Sequence, residues 1–243
     1  MGARWDFDDL HDPPRDWVGP AYEAFADRLL DSAYPCDFGV RGQRNGHNSF
    51  AAVDDRERPD SLVAALLAFR ERAWRGPRRQ SLVVFVGPPR PTTLDQDHER
   101  FWALLERLSA HDPAGWPQDV PRDPRHPGWQ WCFGGEPWFT FACSPAYSAR
   151  RSRNVGPCLV VVFQTRRVFE GLSGSTPAGR AAKQRVRASL MAYDAIGPHP
   201  HLGDPQHSST HKWRQYALPD DQRVLATDAC PFHHQRHQRK ETG

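Results

Sequence analysis

The chain has 243 residues, room for one large domain or two small ones, and its 32 Lys and Arg against 29 Asp and Glu leave a formal charge of only +3. So even a balance excludes an electrostatically driven nucleic-acid arm unless charge segregates along the chain, and acids accompany bases through most of it. Hydrophobic residues are only 38%, but 9 Trp and 13 Phe supply enough apolar area for a core of few, large side chains, so the composition is not that of a disordered chain.

The first helix is predicted around Tyr22, Phe25, Leu29 and Leu30, whose spacing places them on one face. Asn48–Val53 is a weak strand candidate. A second helix carries Leu62, Ala65, Leu66, Phe69 and Ala73, with Asp60 as its expected N-cap. Ser81–Val86 is a β-branched run that reads as a buried strand. A third helix holds Phe101, Trp102, Leu105 and Leu108 and stops at His111-Asp112-Pro113. The connection from His111 to Glu136 is long and proline-dense, yet Trp116, Trp129 and Trp131 argue that it is held in place. Trp138–Ala142 alternates, with Phe139 and Phe141 on one face, and Leu159–Phe163 is a further buried strand, so these two read as a hairpin-like pair. Thr176-Pro177 opens the last helix, whose expected apolar face is Val186, Leu190 and Tyr193. The order points to an α+β fold, a single domain with a short central β-sheet flanked by helices and a long Pro/Trp-rich loop. The core is expected over 17–232 of the single 1–243 domain, with 233–243 a His/Arg-rich tail.

No stretch approaches the ~18 apolar residues of a membrane span, and Met1–Trp17 carries Asp6, Asp8, Asp9 and Asp12 in place of an apolar secretory segment. Cys36, Cys132, Cys143, Cys158 and Cys230 are odd in number and form no C-x-x-C pair. A reduced, cytoplasmic protein without a membrane partner is the expectation.

Three clusters carry candidate chemistry. In Trp129-Gln-Trp-Cys132-Phe-Gly-Gly-Glu136, a glycine two residues after the cysteine lets a backbone N–H approach the sulfur, which favours a thiolate of the kind that ligates heme iron, with Trp131 beside it to stack on a porphyrin. A buried thiol at a tight turn before a strand is the competing reading. Arg150, Arg151 and Arg153 form guanidinium forks suited to carboxylates, either heme propionates or an amino-acid substrate, or else a solvated turn. Pro198-His199-Pro-His201 holds histidines sterically, and Cys230 with His233 and His234 forms a further set of metal-ligand types.

The ordered blocks Tyr34-Pro-Cys36-Asp-Phe-Gly39, Trp116-Pro, Pro121-Arg-Asp-Pro124, Trp129-Gln-Trp-Cys132-Phe-Gly-Gly-Glu-Pro, Ser144-Pro-Ala, Arg150-Arg-Ser-Arg153, Val168-Phe-Glu-Gly171, Tyr193-Asp, His199-Pro-His-Leu-Gly203, Lys212-Trp-Arg-Gln-Tyr216 and Cys230-Pro-Phe resemble the YqcI/YcgG family over almost the whole chain. Tyr147 departs from it, standing where relatives are expected to carry histidine. The resemblance implies a heme-dependent monooxygenase that N-hydroxylates the guanidino group of L-arginine or an arginine-derived amino acid, like the hydroxylases of guanitoxin and cycloserine biosynthesis. Its cofactor would be heme b (iron protoporphyrin), its co-substrate dioxygen or peroxide, and its electron donor external, because no flavin or nicotinamide signature is present. Cys132 and His199 are the alternative iron ligands, with Cys36 a further cofactor contact. Glu136 is the expected carboxylate clamp for the substrate guanidinium, with Asp194 and Asp204 in reserve, and Arg150 and Arg153 would hold propionates or the substrate carboxylate. A non-catalytic protein that binds nucleic acid or an acidic partner, and a zinc enzyme using Cys230 and His233, are the rival readings.

Overall fold

Two β-branched runs make the middle of the sheet, Ser81–Gly87 (β2) and Leu159–Thr165 (β5), and every residue of β2 is buried. Such strands need cover on both faces, and helices supply it. In the computed structural model, which describes residues 16–54, 56–172, 176–202, 211–226 and 228–232, the remaining elements are α1 (Val18–Leu30), α2 (Asp37–Arg44), β1 (Asn48–Asp54), α3 (Asp60–Arg75), α4 (Leu94–Ala110), β3 (Cys132–Phe133), β4 (Glu136–Cys143) and α5 (Pro177–Tyr193). The five strands form one sheet in the order β1-β2-β5-β4-β3. β1 and β2 are parallel, joined through α3, and the other neighbours are antiparallel. The fold is α+β and a single domain, as the element order implies.

One face of the sheet carries the main core, where Leu66 and Phe69 of α3 and Phe101 and Leu105 of α4 meet Val84, Val86, Trp138 and Phe163. Trp129 and Trp131 enter the same core, which is what fixes the proline-dense connection. Each fully buried indole removes about 200 Å² from water, an upper limit of about 5 kcal/mol. On the other face α1 lays Ala21, Phe25 and Leu29 across Val83, Phe85, Val160 and Val162.

Several local details differ from the sequence reading. The N-cap of α3 is Pro59, and Asp60 is the first helical residue. α4 starts well before Phe101, because Thr93 and Gln96 form a reciprocal capping box. α2 and β3 were not anticipated: α2 is short and lacks an apolar repeat, and β3 has two residues. Phe133-Gly134-Gly135-Glu136 closes β3 onto β4, with φ of 62° and 78° at the two glycines, so both positions demand a residue without Cβ. On α5 the predicted apolar face is covered only at its end: Tyr193 is buried, Leu190 is half-buried and Val186 is 41% exposed.

Candidate functional site

α2 begins at Cys36, whose sulfur takes the N-cap position and accepts the Gly39 N–H at 3.4 Å. A Cβ on Gly39 would lie 3.2 Å from that sulfur, so glycine lets the first turn close on it. Cys36 is exposed to solvent. The surrounding protein raises its thiol above the ordinary value, while the Gly39 amide and the Arg153 guanidinium draw it back. The residue is exposed while burial is the main cause of the upward shift of its thiol, so the sulfur lies in a recess on the inner side of an exposed turn. Tyr34 borders it, donating its hydroxyl to Ser152 O at 2.9 Å and meeting the Tyr193 ring edge-on at 5.7 Å.

Through Arg153 the recess is linked to part-exposed aromatic residues of β4. Along β4, Trp138 and Ala142 enter the main core while Phe141 and Cys143 belong to the cluster on the other face. Phe139, two residues before Phe141, sits at the edge and packs against the main core, edge-on to Tyr216 at 5.7 Å. Phe139 and Phe141 are half-buried and 5.9 Å apart, and Phe169 closes edge-on against Phe139 at 5.3 Å. Arg153 connects this aromatic strip to the thiol. Its guanidinium lies 4.6 Å over the Phe141 ring and is held there by Ala142 O at 3.0 Å and Gln215 O at 3.2 Å.

The other nominated residues fall elsewhere. Cys132 is 2% exposed, its thiol donates to Gln130 O at 3.4 Å, and burial pushes it up to about 12, so it is a thiol at neutral pH. The Gly134 N–H that was expected to approach this sulfur donates to Asp112 at 3.0 Å. Trp131 is fully buried, with its indole N–H on Ser109 Oγ at 2.9 Å. Glu136 already accepts from the Trp74 indole at 3.2 Å and pairs with Arg70 at 3.8 Å, and burial raises its pKa against those partners. Arg70 also donates to Gly134 O, so the carboxylate braces the β3–β4 hairpin against α3.

Arg150 is 2% exposed. It donates to Pro219 O at 2.7 Å, Gly197 O at 3.1 Å, Asp221 O at 2.6 Å and Gln222 Oε1 at 3.4 Å. Asp220 answers from the other side, accepting the backbone N–H groups of Ser148, Ala149 and Arg150. His199 is fully buried, and its Nδ1 accepts the His201 N–H at 3.0 Å, which leaves Nε2 protonated and donating to Arg223 O at 3.1 Å. Burial, with His201 and Arg150 nearby, lowers its pKa to about 4. Asp194 caps the turn at Ser152, accepting its N–H at 2.7 Å and its hydroxyl at 2.9 Å. Tyr147 donates to Leu218 O and meets His98 Nε2 at 3.0 Å, a structural tie where relatives were expected to carry histidine. Asp204, His233 and His234 lie outside the described residues. Among the described residues no group of three or more His, Cys, Asp or Glu is placed to hold a metal ion, and no helix is long and apolar enough to cross a membrane.

Tyr34, Phe139, Phe141 and Phe169 were missed as site residues. The alternation of Trp138–Ala142 already placed the two phenylalanines on one face, and Tyr34 stands in the same short block as Cys36. What sequence could not show was that both rings stay partly exposed.

The YcgG and YqcI proteins of Bacillus subtilis (strain 168), whose names state no activity, are 38% identical over 226 residues and 32% identical over 239 residues. These matches cover 89% and 95% of this chain and 88% and 93% of the relatives. A Streptomyces lavendulae protein named, provisionally, as the N(omega)-hydroxy-L-arginine synthase DcsA is 34% identical over 224 residues, covering 89% of this chain and 84% of that protein. No solved structure matches the chain. Residues 25–233 match the YqcI/YcgG family, which spans both the Cys36 recess and the aromatic strip, and the chain belongs to that family.

Proposed function

We propose that the protein is a heme-dependent N-hydroxylase acting on the guanidino group of L-arginine or an arginine-derived amino acid, with Cys36 as the residue that holds the iron. The family membership and the name of the Streptomyces relative support the guanidino substrate. The observation that carries the cofactor is the Cys36 recess: a thiol on an exposed residue, raised by burial but drawn back by an amide and a guanidinium, with an aromatic strip beside it.

The residues fit heme on chemical grounds. A thiolate ligand needs a sulfur that loses its proton on metal binding; Cys36 belongs to an exposed residue and accepts the Gly39 N–H, whereas Cys132 is 2% exposed and its thiol is pushed up to about 12. Half-buried Phe139 and Phe141 offer flat apolar surface for a macrocycle, and Arg153 is a fixed cation next to them. His199 serves less well, because each ring nitrogen already has a backbone partner. Bound heme would supply the activated oxygen that no side chain can.

The chain's own residues then have defined tasks. The Gly39 N–H steadies negative charge on the Cys36 sulfur. Tyr34 and Arg153 fix the wall around it through Ser152 O, Ala142 O and Gln215 O. Arg150, Asp220 and Asp194 brace the loops that carry Ser148–Arg153, so their part is to position. The reaction balances as one guanidino N–H, one dioxygen, two electrons and two protons giving N–OH and water, so an external reductant is required.

Incubating the hemin-loaded protein with L-arginine, dioxygen and reductant should yield arginine carrying one additional oxygen atom on the guanidino group, read by mass spectrometry. Loaded protein that leaves arginine and its derivatives unchanged while consuming reductant would overturn the reading.

A further inference from the structure

We propose that the cleft between α4 and the 213–231 segment is a binding site for a basic amino acid, a ligand with one carboxylate and two cationic groups. The cleft has a volume of about 520 Å³, within the ~300–1,000 Å³ of small-molecule sites. One wall is a single face of α4, because Asp95, His98, Glu99 and Trp102 recur at helical spacing. The other wall includes Trp213, Ala217, Arg223 and Leu225. Neither Cys36 nor Arg153 lines it, so the cleft is separate from the recess.

The two walls differ in polarity. Asp95 and Glu99 put two exposed carboxylates on the α4 side. His98 adds an acceptor to them. Tyr147 donates its hydroxyl to Leu218 O, so the 3.0 Å contact is His98 Nε2–H donating to Tyr147 Oη, and Nδ1 keeps its lone pair. Burial lowers the pKa of that imidazole to about 4, so the ring is neutral at pH 7. The opposite wall offers donors. Arg223 is exposed there, and the Trp213 indole, 1% exposed, has a buried N–H with no hydrogen-bond partner. A buried N–H without an acceptor is costly, and a ligand carboxylate would answer it. Asp220 and Glu106 also line the cleft but are already engaged, Asp220 by the N–H groups of Ser148, Ala149 and Arg150. Two carboxylates facing one guanidinium and one N–H are the complement of two cationic groups and one carboxylate. Trp102, Ala217 and Leu225 supply apolar surface for the stem between them. A phosphate ligand would meet Asp95 and Glu99 with like charge, and a neutral apolar one would leave the Trp213 N–H unanswered. The ligand class coincides with the substrate proposed above, but the inference uses the cleft alone and none of the recess.

The test is titration calorimetry of the full chain, before and after hemin loading, with L-arginine, L-citrulline and agmatine. L-Citrulline keeps the carboxylate but loses the guanidinium charge, and agmatine keeps the guanidinium but has no carboxylate. Each should bind about tenfold or more weakly than L-arginine. Asp95→Asn with Glu99→Gln should weaken L-arginine by about tenfold or more, and Arg223→Gln should remove the preference over agmatine. All three side chains are exposed, so melting should stay as in the wild type. Unchanged L-arginine affinity in the folded double variant overturns the cleft, as does a wild type that binds L-citrulline as tightly as L-arginine. Loss of the L-arginine signal on hemin loading also overturns it, because heme would then fill the cleft. Heme uptake is read separately from the Soret band: a chain that takes up no heme while these affinities hold overturns the Cys36 reading alone.

Discussion

Arg150→Met removes a buried guanidinium while keeping much of its volume, and the structure sets the size of the effect. Three backbone carbonyls, Pro219 O, Gly197 O and Asp221 O, lose a charged donor. Hydrogen bonds to charged groups contribute about 1.5–3 kcal/mol each, but part of that returns where water reaches the freed carbonyls, so a loss of about 3–5 kcal/mol follows. Asp220 would keep its backbone donors yet lose a neighbouring cation, which adds to the loss. With a urea slope of about 3 kcal/mol/M, the unfolding midpoint should fall by roughly 1–1.7 M. Equilibrium unfolding followed by tryptophan fluorescence measures it. A midpoint shift under about 0.3 M, together with a specific loss of heme or arginine affinity, would refute the positioning role and return Arg150 to ligand binding.

Three further outcomes follow from the same geometry. Iodoacetamide at neutral pH should label Cys36 first and leave Cys132 and Cys143 unmodified until the chain unfolds, since burial pushes both of those thiols up to about 12; peptide mass mapping reads the order, and early labelling of Cys132 would contradict the burial. His98, His199 and His201 have folded-state pKa values lowered to about 4 by burial, so the unfolded chain binds more protons between about pH 6.5 and 4 and stability falls as pH drops through that window, by about 1–2 kcal/mol per histidine at pH 5. Melting at pH 7 and pH 5 checks the sign, and His199→Gln should flatten the dependence. Gly134→Ala should destabilise by about 1–2 kcal/mol, because φ is 62° there and the added Cβ would lie 3.0 Å from Arg70 and 3.3 Å from Leu67; a neutral result in thermal denaturation would contradict the hairpin geometry.

What sequence made legible was local or strongly patterned. The β-branched runs at Ser81 and Leu159, the alternation at Trp138 and the helical stripes at Phe25, Leu66 and Leu105 all became the elements they implied. The Thr93-x-x-Gln96 capping box that starts α4 is also a local signal, which lies outside the apolar stripe at Phe101–Leu108. The parallel β1–β2 pairing and the edge position of β3 depend on long-range register, which no window of sequence contains. The site was legible as chemistry and not as placement. Cys36 and Cys132 each stand a few residues before a glycine, and only the packed structure shows that one belongs to an exposed residue capping α2 while the other is buried in the β3–β4 hairpin. Likewise the arginine cluster divides by burial: Arg150 is bonded into the loops, and Arg153 lies over Phe141 beside the recess.

The measurement that bears most directly on the account is the reduced, carbon-monoxide-bound absorption spectrum of the heme-loaded wild type beside Cys36→Ser and Cys132→Ser. A long-wavelength Soret band typical of a thiolate ligand is expected for the wild type and for Cys132→Ser, and its loss is expected in Cys36→Ser. Survival of that band in Cys36→Ser, or a wild type that stays colourless with added hemin, would contradict the assignment of Cys36 as the heme ligand.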